Sequence, residues 1–333
     1  MARRRHAATA LTPFGRSGDT SRMDQMSPLS EASRIRETQR WRLAFACMIL
    51  AMLIFGSNFV ISRHAVLHGL TSHDLLAMRF GIAGLLLLPG FLAGGGLRTC
   101  NGVGWGRGIL LAIMSGFPMS FLLLTGVTYA PAAHGATIGP GLVTVISIIG
   151  SVVLFGAVIT RQLVFGILAL LAGLVSLGIA GTTHTNPSIL FGDLCFIGVG
   201  LIWGMYPLLV QLWRLNALKV TSVVAVLSMV YLPFYALFFF RGFDVAPWWV
   251  IVLHGLNQGV LNVVLGLLLW TFAARALGPS VAGRFPPTIP VIGTLLGIPV
   301  LGEVPTGLQV AGIGLIIGGL FIASWRRSAG AAA

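Results

Sequence analysis

The chain reads as an all-α membrane protein, with ten transmembrane helices arranged as two inverted five-helix repeats and both termini cytoplasmic. Three observations carry this reading. Of its 333 residues 56% are hydrophobic and only 9% charged, with a mean hydropathy of +0.93; a soluble domain carries about 25% charged residues. Apolar runs recur at spanning length, roughly 20 residues for a hydrocarbon core about 30 Å thick. Finally, Leu154–Ile167 (LFGAVITRQLVFGI) recurs as Val300–Ile313 (VLGEVPTGLQVAGI), placing Gly156 on Gly302, Thr160 on Thr306 and Gly166 on Gly312. Self-similarity at a fixed offset marks a duplicated architecture.

In chain order the apolar windows fall near 43–67, 74–93, 108–128, 134–156 and 163–181, then near 190–213, 220–240, 248–272, 280–301 and 307–325. An odd number of spans per copy makes the second copy enter the membrane from the opposite side. Inverted repeats of this kind are a transporter architecture, with the site near mid-membrane between the halves. The domains are therefore a first repeat over 42–181 and a second over 190–325. Residues 326–333 form a short cytoplasmic tail, and the polar, Arg- and Ser-rich residues 1–40, without apolar periodicity, are expected to be disordered.

With a cytoplasmic N-terminus, eighteen of the 21 lysines and arginines fall on the inner side, leaving Arg63, Arg79 and Arg241 outside, as the positive-inside rule requires of short loops. The net charge of +13 is thus a topology signal, and no nucleic-acid partner is expected. Arginine outnumbers lysine so strongly, Lys219 being the single lysine, that the composition suggests a bacterial source and hence an inner (plasma) membrane. No apolar core followed by a small-residue cleavage site precedes the first span, so a removable signal peptide is not expected. Cys47, Cys100 and Cys195 show no metal or redox spacing, and neither a metal nor a cofactor is called for.

Polar groups inside spans carry the functional signal. Thr137, Pro140, Thr144, Ser147 and Ser151 share one face of the fourth span. Their repeat partners are Gly283, Pro286, Pro290, Gly293 and Gly297. Close helix packing and a cavity wall both explain such a face. Pro140, Pro286, Pro287 and Pro290 are expected to bend or break their helices. On the eighth span Gly255, Gln258, Asn262, Gly266 and Trp270 form a stripe with Asn257 beside it; the third span offers Ala112, Gly116, Ser120 and Leu124. Amides in one half only suit a ligand with its own polarity, although interhelical hydrogen bonds explain them as well.

Intramembrane ionisable groups are functional candidates. Arg79 and Arg284 are placed to attract a carboxylate or phosphate, or to snorkel to headgroups. Trp203, Tyr206 and Trp270 are candidates to stack on a substrate. Asp193 and His254, at the starts of their spans, are expected to be hydrated, as is the group Arg63, His64, His68, His73 and Asp74. Glu303 closes the ninth span, where it either couples to protons or holds that helix end; its boundary position favours holding.

Phe55-Gly56-Ser57-Asn58-Phe59-Val60, then Arg79-Phe80, then Ile202-Trp203-Gly204 and Leu301-Gly302-Glu303-x-x-Thr306 resemble EamA-type proteins of the drug/metabolite transporter superfamily. The resemblance covers residues 42–325. It implies a ten-helix inner-membrane carrier for small metabolites or drugs, often an exporter, working by alternating access. Two departures stand out. Ala157 occupies the position repeated as Glu303, and the first span holds Ser57, Asn58 and Ser62 but no carboxylate, unlike the short multidrug relatives, so proton antiport lacks its usual group.

The expected function is therefore secondary transport, most simply export, of small metabolites, amino-acid-like compounds or drugs, with Asn58, Arg79, Gln258, Asn262 and Trp270 as first contacts and Trp203, Tyr206 and Arg284 as further candidates. The partners are a small-molecule substrate, the lipid bilayer and, through GxxxG pairs such as Gly314–Gly318, a second copy in a homodimer. A membrane-embedded enzyme or a lipid scramblase is the alternative; no HExxH, nucleophile elbow or paired carboxylates lie in the spans, and an enzyme is not expected.

Overall fold

In an apolar solvent each backbone polar group must be satisfied within the protein, and helices do this segment by segment. The computed structural model of the chain describes residues 28–156, 159–183, 187–242, 245–277 and 285–324, and no strand occurs among them. The principal helices are α1 (Pro28–Leu67), α2 (Ser72–Ala93), α3 (Trp105–Tyr129), α4 (Ala132–Phe155), α5 (Arg161–Thr183), α6 (Pro187–Leu212), α7 (Ala217–Phe239), α8 (Trp248–Leu277), α9 (Thr288–Leu301) and α10 (Gly307–Ser324). Seven helical stretches are long and apolar enough to cross a membrane: Thr38–Leu67 of α1, then α2, α3, α4, α6, α7 and α8. Shorter apolar stretches, Arg161–Leu177, Thr288–Leu301 and Gly307–Ala323, lie in α5, α9 and α10.

The first helix starts at Pro28, inside the segment expected to be disordered. Proline suits the first helical position, and the following Glu, Ala, Arg and Gln residues have high helix propensity, so an amphipathic stripe is not needed. Residues 1–27, the rest of that expectation, lie outside the described residues, as do 325–333 with the expected C-terminal tail. Residues up to Arg42 form one unit and Leu43 onwards another.

In the second unit α5 packs along α10, α4 on α6 and α9, α3 on α6 and α7, and α2 on α7 and α8. Small residues let backbones meet. A Cβ on Gly56 of α1 would lie 2.7 Å from the Ile292 Cβ of α9, and one on Gly312 of α10 would lie 3.0 Å from the Gly173 carbonyl oxygen of α5. Outward-facing side chains include Val153, Phe165, Leu237 and Leu295, all strongly exposed, the surface that acyl chains rather than water would cover.

Glycine also ends two helices at repeat-equivalent positions. Gly156 (φ 64°) caps α4 and Gly302 (φ 67°) caps α9, both left-handed, with their N–H groups donating to the fifth and fourth carbonyls before them. Among the described residues the π-helical stretches fall in the second half: α7 ends in one, Tyr235–Phe239, and the middle of α8 is π-helical over Leu256–Leu265. α3 breaks at Gly116.

Pro140 lies inside α4. The other three prolines act differently. Pro286 and Pro287 form a turn, α9 begins at Thr288, and Pro290 occupies its first turn, where a missing N–H costs no intrahelical bond. They start the helix rather than bend its middle.

Candidate functional site

The π-helical stretch of α8 brings Asn257 and Gln258 to one buried place, and α1, α2 and α3 supply what they meet. Arg79 of α2 is 7% exposed, Gln258 0% and Asn58 4%. Arg79 Nε donates to Gln258 Oε1 at 2.9 Å, its Nη2 to Asn58 Oδ1 at 3.4 Å and its Nη1 to Ser120 Oγ at 3.5 Å. Gln258 Nε2 donates to Ser62 Oγ at 2.7 Å, and Asn257 Nδ2 to Asn58 Oδ1 at 3.4 Å. A π-bulge frequently marks a functional site; this one turns two consecutive amides inward.

This cluster has no negative charge of its own. The ion pairs among the described residues are Arg63–Glu303, His134–Asp193 and Arg241–Asp74, and Arg79 is in none of them. A buried guanidinium without a carboxylate is costly, and its bonds to Asn58 and Ser120 are long. Chemically the arrangement is a buried, positively charged cradle with amide and hydroxyl neighbours, suited to one carboxylate or similar anionic group.

Of the sequence candidates, Asn58, Arg79 and Gln258 meet here, joined by Ser62, Ser120 and Asn257. Asn262 is in the same π stretch, but its Nδ2 is buried without a partner. Trp203 packs against the main apolar core, Trp270 against the Ala44–Met48–Ala273 cluster, and Tyr206 against Phe91, Cys100 and Leu111. The Tyr206 hydroxyl also hydrogen-bonds with Thr221 and Ser115. Trp270 and Tyr206 thus belong to other clusters, while Trp203 packs against the same core that holds Phe59 and Phe80. Arg284 lies outside the described residues. The hydroxyls of the α4 face bond mostly within that helix, Thr137 to the Ala133 carbonyl, Thr144 to that of Pro140 and Ser151 to that of Ser147; Ser147 donates across to the Gly204 carbonyl of α6.

The expectation of a hydrated outer group is corrected at several positions. Asp193 is 4% exposed, His254 0% and Asp74 2%, because each acid or ring has partners inside. Asp74 accepts from Tyr235 Oη at 2.6 Å, from Arg241 Nη2 at 2.9 Å, and from the backbone and hydroxyl of Thr71 at 2.7 Å. His254 Nε2 lies 3.3 Å from His64 Nδ1. His134 Nδ1 lies 2.9 and 3.1 Å from the two oxygens of Asp193, and its Nε2 2.9 Å from Gln309 Nε2.

Glu303 follows the αL cap of α9 and receives Arg63 Nε at 3.2 Å and the Ala132 backbone N–H at 2.8 Å. A carboxylate on the first N–H of α4 also meets the positive end of that helix. The acid joins α1, α4 and the end of α9.

Comparison with known proteins bears on the chain's family. The EamA-like transporter family model matches residues 42–179 and again 190–325. The chain is similar to the uncharacterized transporter YetK of Bacillus subtilis (strain 168), 24% identical over 296 residues, covering 84% of this chain and 86% of that protein. A solved crystal structure covers 84% of this chain and 96% of its own with a TM-score of 0.57 at 21% identity, a likeness of fold. Matched by the family model over both halves, this multi-helix membrane protein belongs to the EamA-like transporter family.

Proposed function

We propose that the chain is a secondary transporter that exports small amino-acid-like compounds, metabolites or drugs across a bacterial inner membrane by alternating access. In this reading all ten principal helices cross, as inverted repeats 42–181 and 190–325 with both termini cytoplasmic. Three facts support the duplication. One family model matches twice. The caps at Gly156 and Gly302 have the same bonding. Exchanging α1–α5 with α6–α10 maps α5–α10, α4–α9 and α2–α7 onto themselves, and α2–α8 onto α7–α3. A homodimer, if formed, would use the open side of α10 at Gly314 and Gly318, where an added Cβ meets nothing within 4 Å.

The observation that carries the substrate reading is Arg79, buried and in no ion pair among the described residues. The substrate would bring the missing negative group and bond to Arg79, with Asn58, Gln258 and Asn262 around it. Its arrival would displace the long contacts to Asn58 and Ser120. Transport rather than catalysis is the proposed activity.

Counterflow in proteoliposomes, with a mixture of carboxylate-bearing and carboxylate-free small molecules, tests this. Arg79→Gln is expected to lower exchange of the carboxylates by about tenfold or more, since hydrogen bonds to charged groups are worth roughly 1.5–3 kcal/mol. Arg79→Lys should keep part of it. Equal loss for carboxylate-free compounds would refute the anion cradle.

A further inference from the structure

The spanning part of α1, Thr38–Leu67, where a coupling acid would be expected, holds none, but a buried acid stands elsewhere. Asp193 of α6 faces His134 of α4, which is 1% exposed. The residue on the other side of the ring settles its proton. The Thr306 N–H donates to Gln309 Oε1 at 2.8 Å, and the Gln309 N–H donates back to Thr306 Oγ1 at 3.4 Å, a capping box at the start of α10. With its oxygen held there, Gln309 turns its Nε2 to His134 Nε2, 2.9 Å away. An amide nitrogen has only protons to give. His134 Nε2 is therefore the acceptor, its ring proton sits on Nδ1, and that N–H donates to Asp193 at 2.9 and 3.1 Å. The pair is a neutral imidazole beside a carboxylate, one negative charge with room for one proton.

Other charged or titratable groups on the packed elements are engaged or distant. Arg63 of α1 pairs with Glu303, which also holds the Ala132 N–H. Tyr129 ends α3 and is exposed, Arg161 starts α5 at the other end of α4, and Cys195 is a buried free thiol on α6. Among the described residues no lysine or arginine pairs with Asp193.

We infer that His134 and Asp193 form the proton-binding site that drives transport, and that Gln309 passes its occupancy to α10. An arriving proton adds to His134 Nε2, giving imidazolium beside carboxylate with no net charge. That new N–H faces the Gln309 amide protons, so the amide must turn its oxygen to the ring and release the Thr306 N–H, opening the capping box. The proton leaves by the reverse step. The driving role rests on the transport reading above; the proton site does not.

The full chain in lipid nanodiscs, with its histidines labelled by ¹⁵N, tests the site without a substrate. The His134 signal is assigned by its loss in His134→Asn. It should show the Nδ1–H tautomer, and at the acid end of a pH series a second proton should appear on Nε2. At the acid end the doubly protonated fraction should fall in Asp193→Asn, which removes the carboxylate, and rise in Gln309→Met, which removes the competing donor. A purely structural tie predicts an unchanging ring, and that result, or shifts of the other sign, would overturn the site. Should Asp193→Asn fail to fold, the Gln309→Met arm still decides. In proteoliposomes a gradient of one pH unit should concentrate a transported carboxylate up to about tenfold per proton exchanged, and Asp193→Asn should abolish that accumulation. Accumulation that survives Asp193→Asn would overturn the coupling role. Titration without flux of any probe would instead refute the transport reading and leave the proton site standing.

Discussion

Arg79 is where the sequence spoke most directly. A guanidinium one to two turns inside an apolar helix needs a reason, and spacing put the α8 amides on one stripe, but that Gln258 meets Arg79 came only from the structure. The geometry adds Ser62, Ser120 and Asn257, because short side chains act only when a neighbour comes within reach. His134 was invisible by the same logic: its partner is 59 residues away in the chain, and neither residue alone differs from a hydrated helix start. The burial of Asp193 and His254 could not be read either, because position along a span says nothing about which side chains lie across from it. Cys100 gives a test at this scale. It is 0% exposed, and burial pushes its thiol above the ordinary range. Only the thiolate reacts, so in a chain lacking Cys47 and Cys195 maleimide should modify Cys100 at neutral pH at least about tenfold more slowly than a free thiol. Mass spectrometry reads the extent. The rate should climb only as pH passes the usual thiol range, and rapid labelling at neutral pH would show that its surroundings open.

Among elements, helix ends and irregularities divide what could be read from what could not. The repeated glycines at 156 and 302 were visible in the sequence as a pair, and both adopt the left-handed conformation that side chains resist. Gly302→Ala should cost about 1–2 kcal/mol and lower the midpoint of thermal unfolding in detergent. Gly307→Ala, which keeps an ordinary helical φ, should not. Equal behaviour of the two would deny the cap its role. The π stretch of α8 had no sequence signature: a period of 3.6 placed Gln258 and Asn262 on one line, whereas in the structure Gln258 and Asn257 both join the Arg79 cluster and Asn262 Nδ2 has no partner. Likewise Pro286 and Pro287 announce a break without saying that it lies before the helix.

At the scale of the molecule, composition and self-similarity carried the helical membrane fold, since few solutions exist for a chain this apolar. The long-range pairings did not follow from it. Arg63 meeting Glu303 across 240 residues ties the first helix to the end of the ninth through a pair whose side chains are 19% and 20% exposed. Solvent-exposed pairs contribute about 0.2–1 kcal/mol, and with water still reaching this one its share is on the order of 1 kcal/mol, too little to hold the fold. A large effect on flux would mean that the pair governs conformation instead. Glu303→Gln keeps the shape and is expected to leave the unfolding midpoint within a few degrees while changing the exchange rate in counterflow. A collapse in stability with unchanged exchange would reverse that assignment.

The facing glycines of α5 and α10 have a further consequence. With a backbone oxygen of one helix against the Cα of the other at Gly173 and Gly312, nothing flexible separates the two main chains. Sliding one along the other would drive oxygen into carbon at the next turn. The last helix of each half is thereby bolted to its counterpart, and any large displacement must be hinged around that strut.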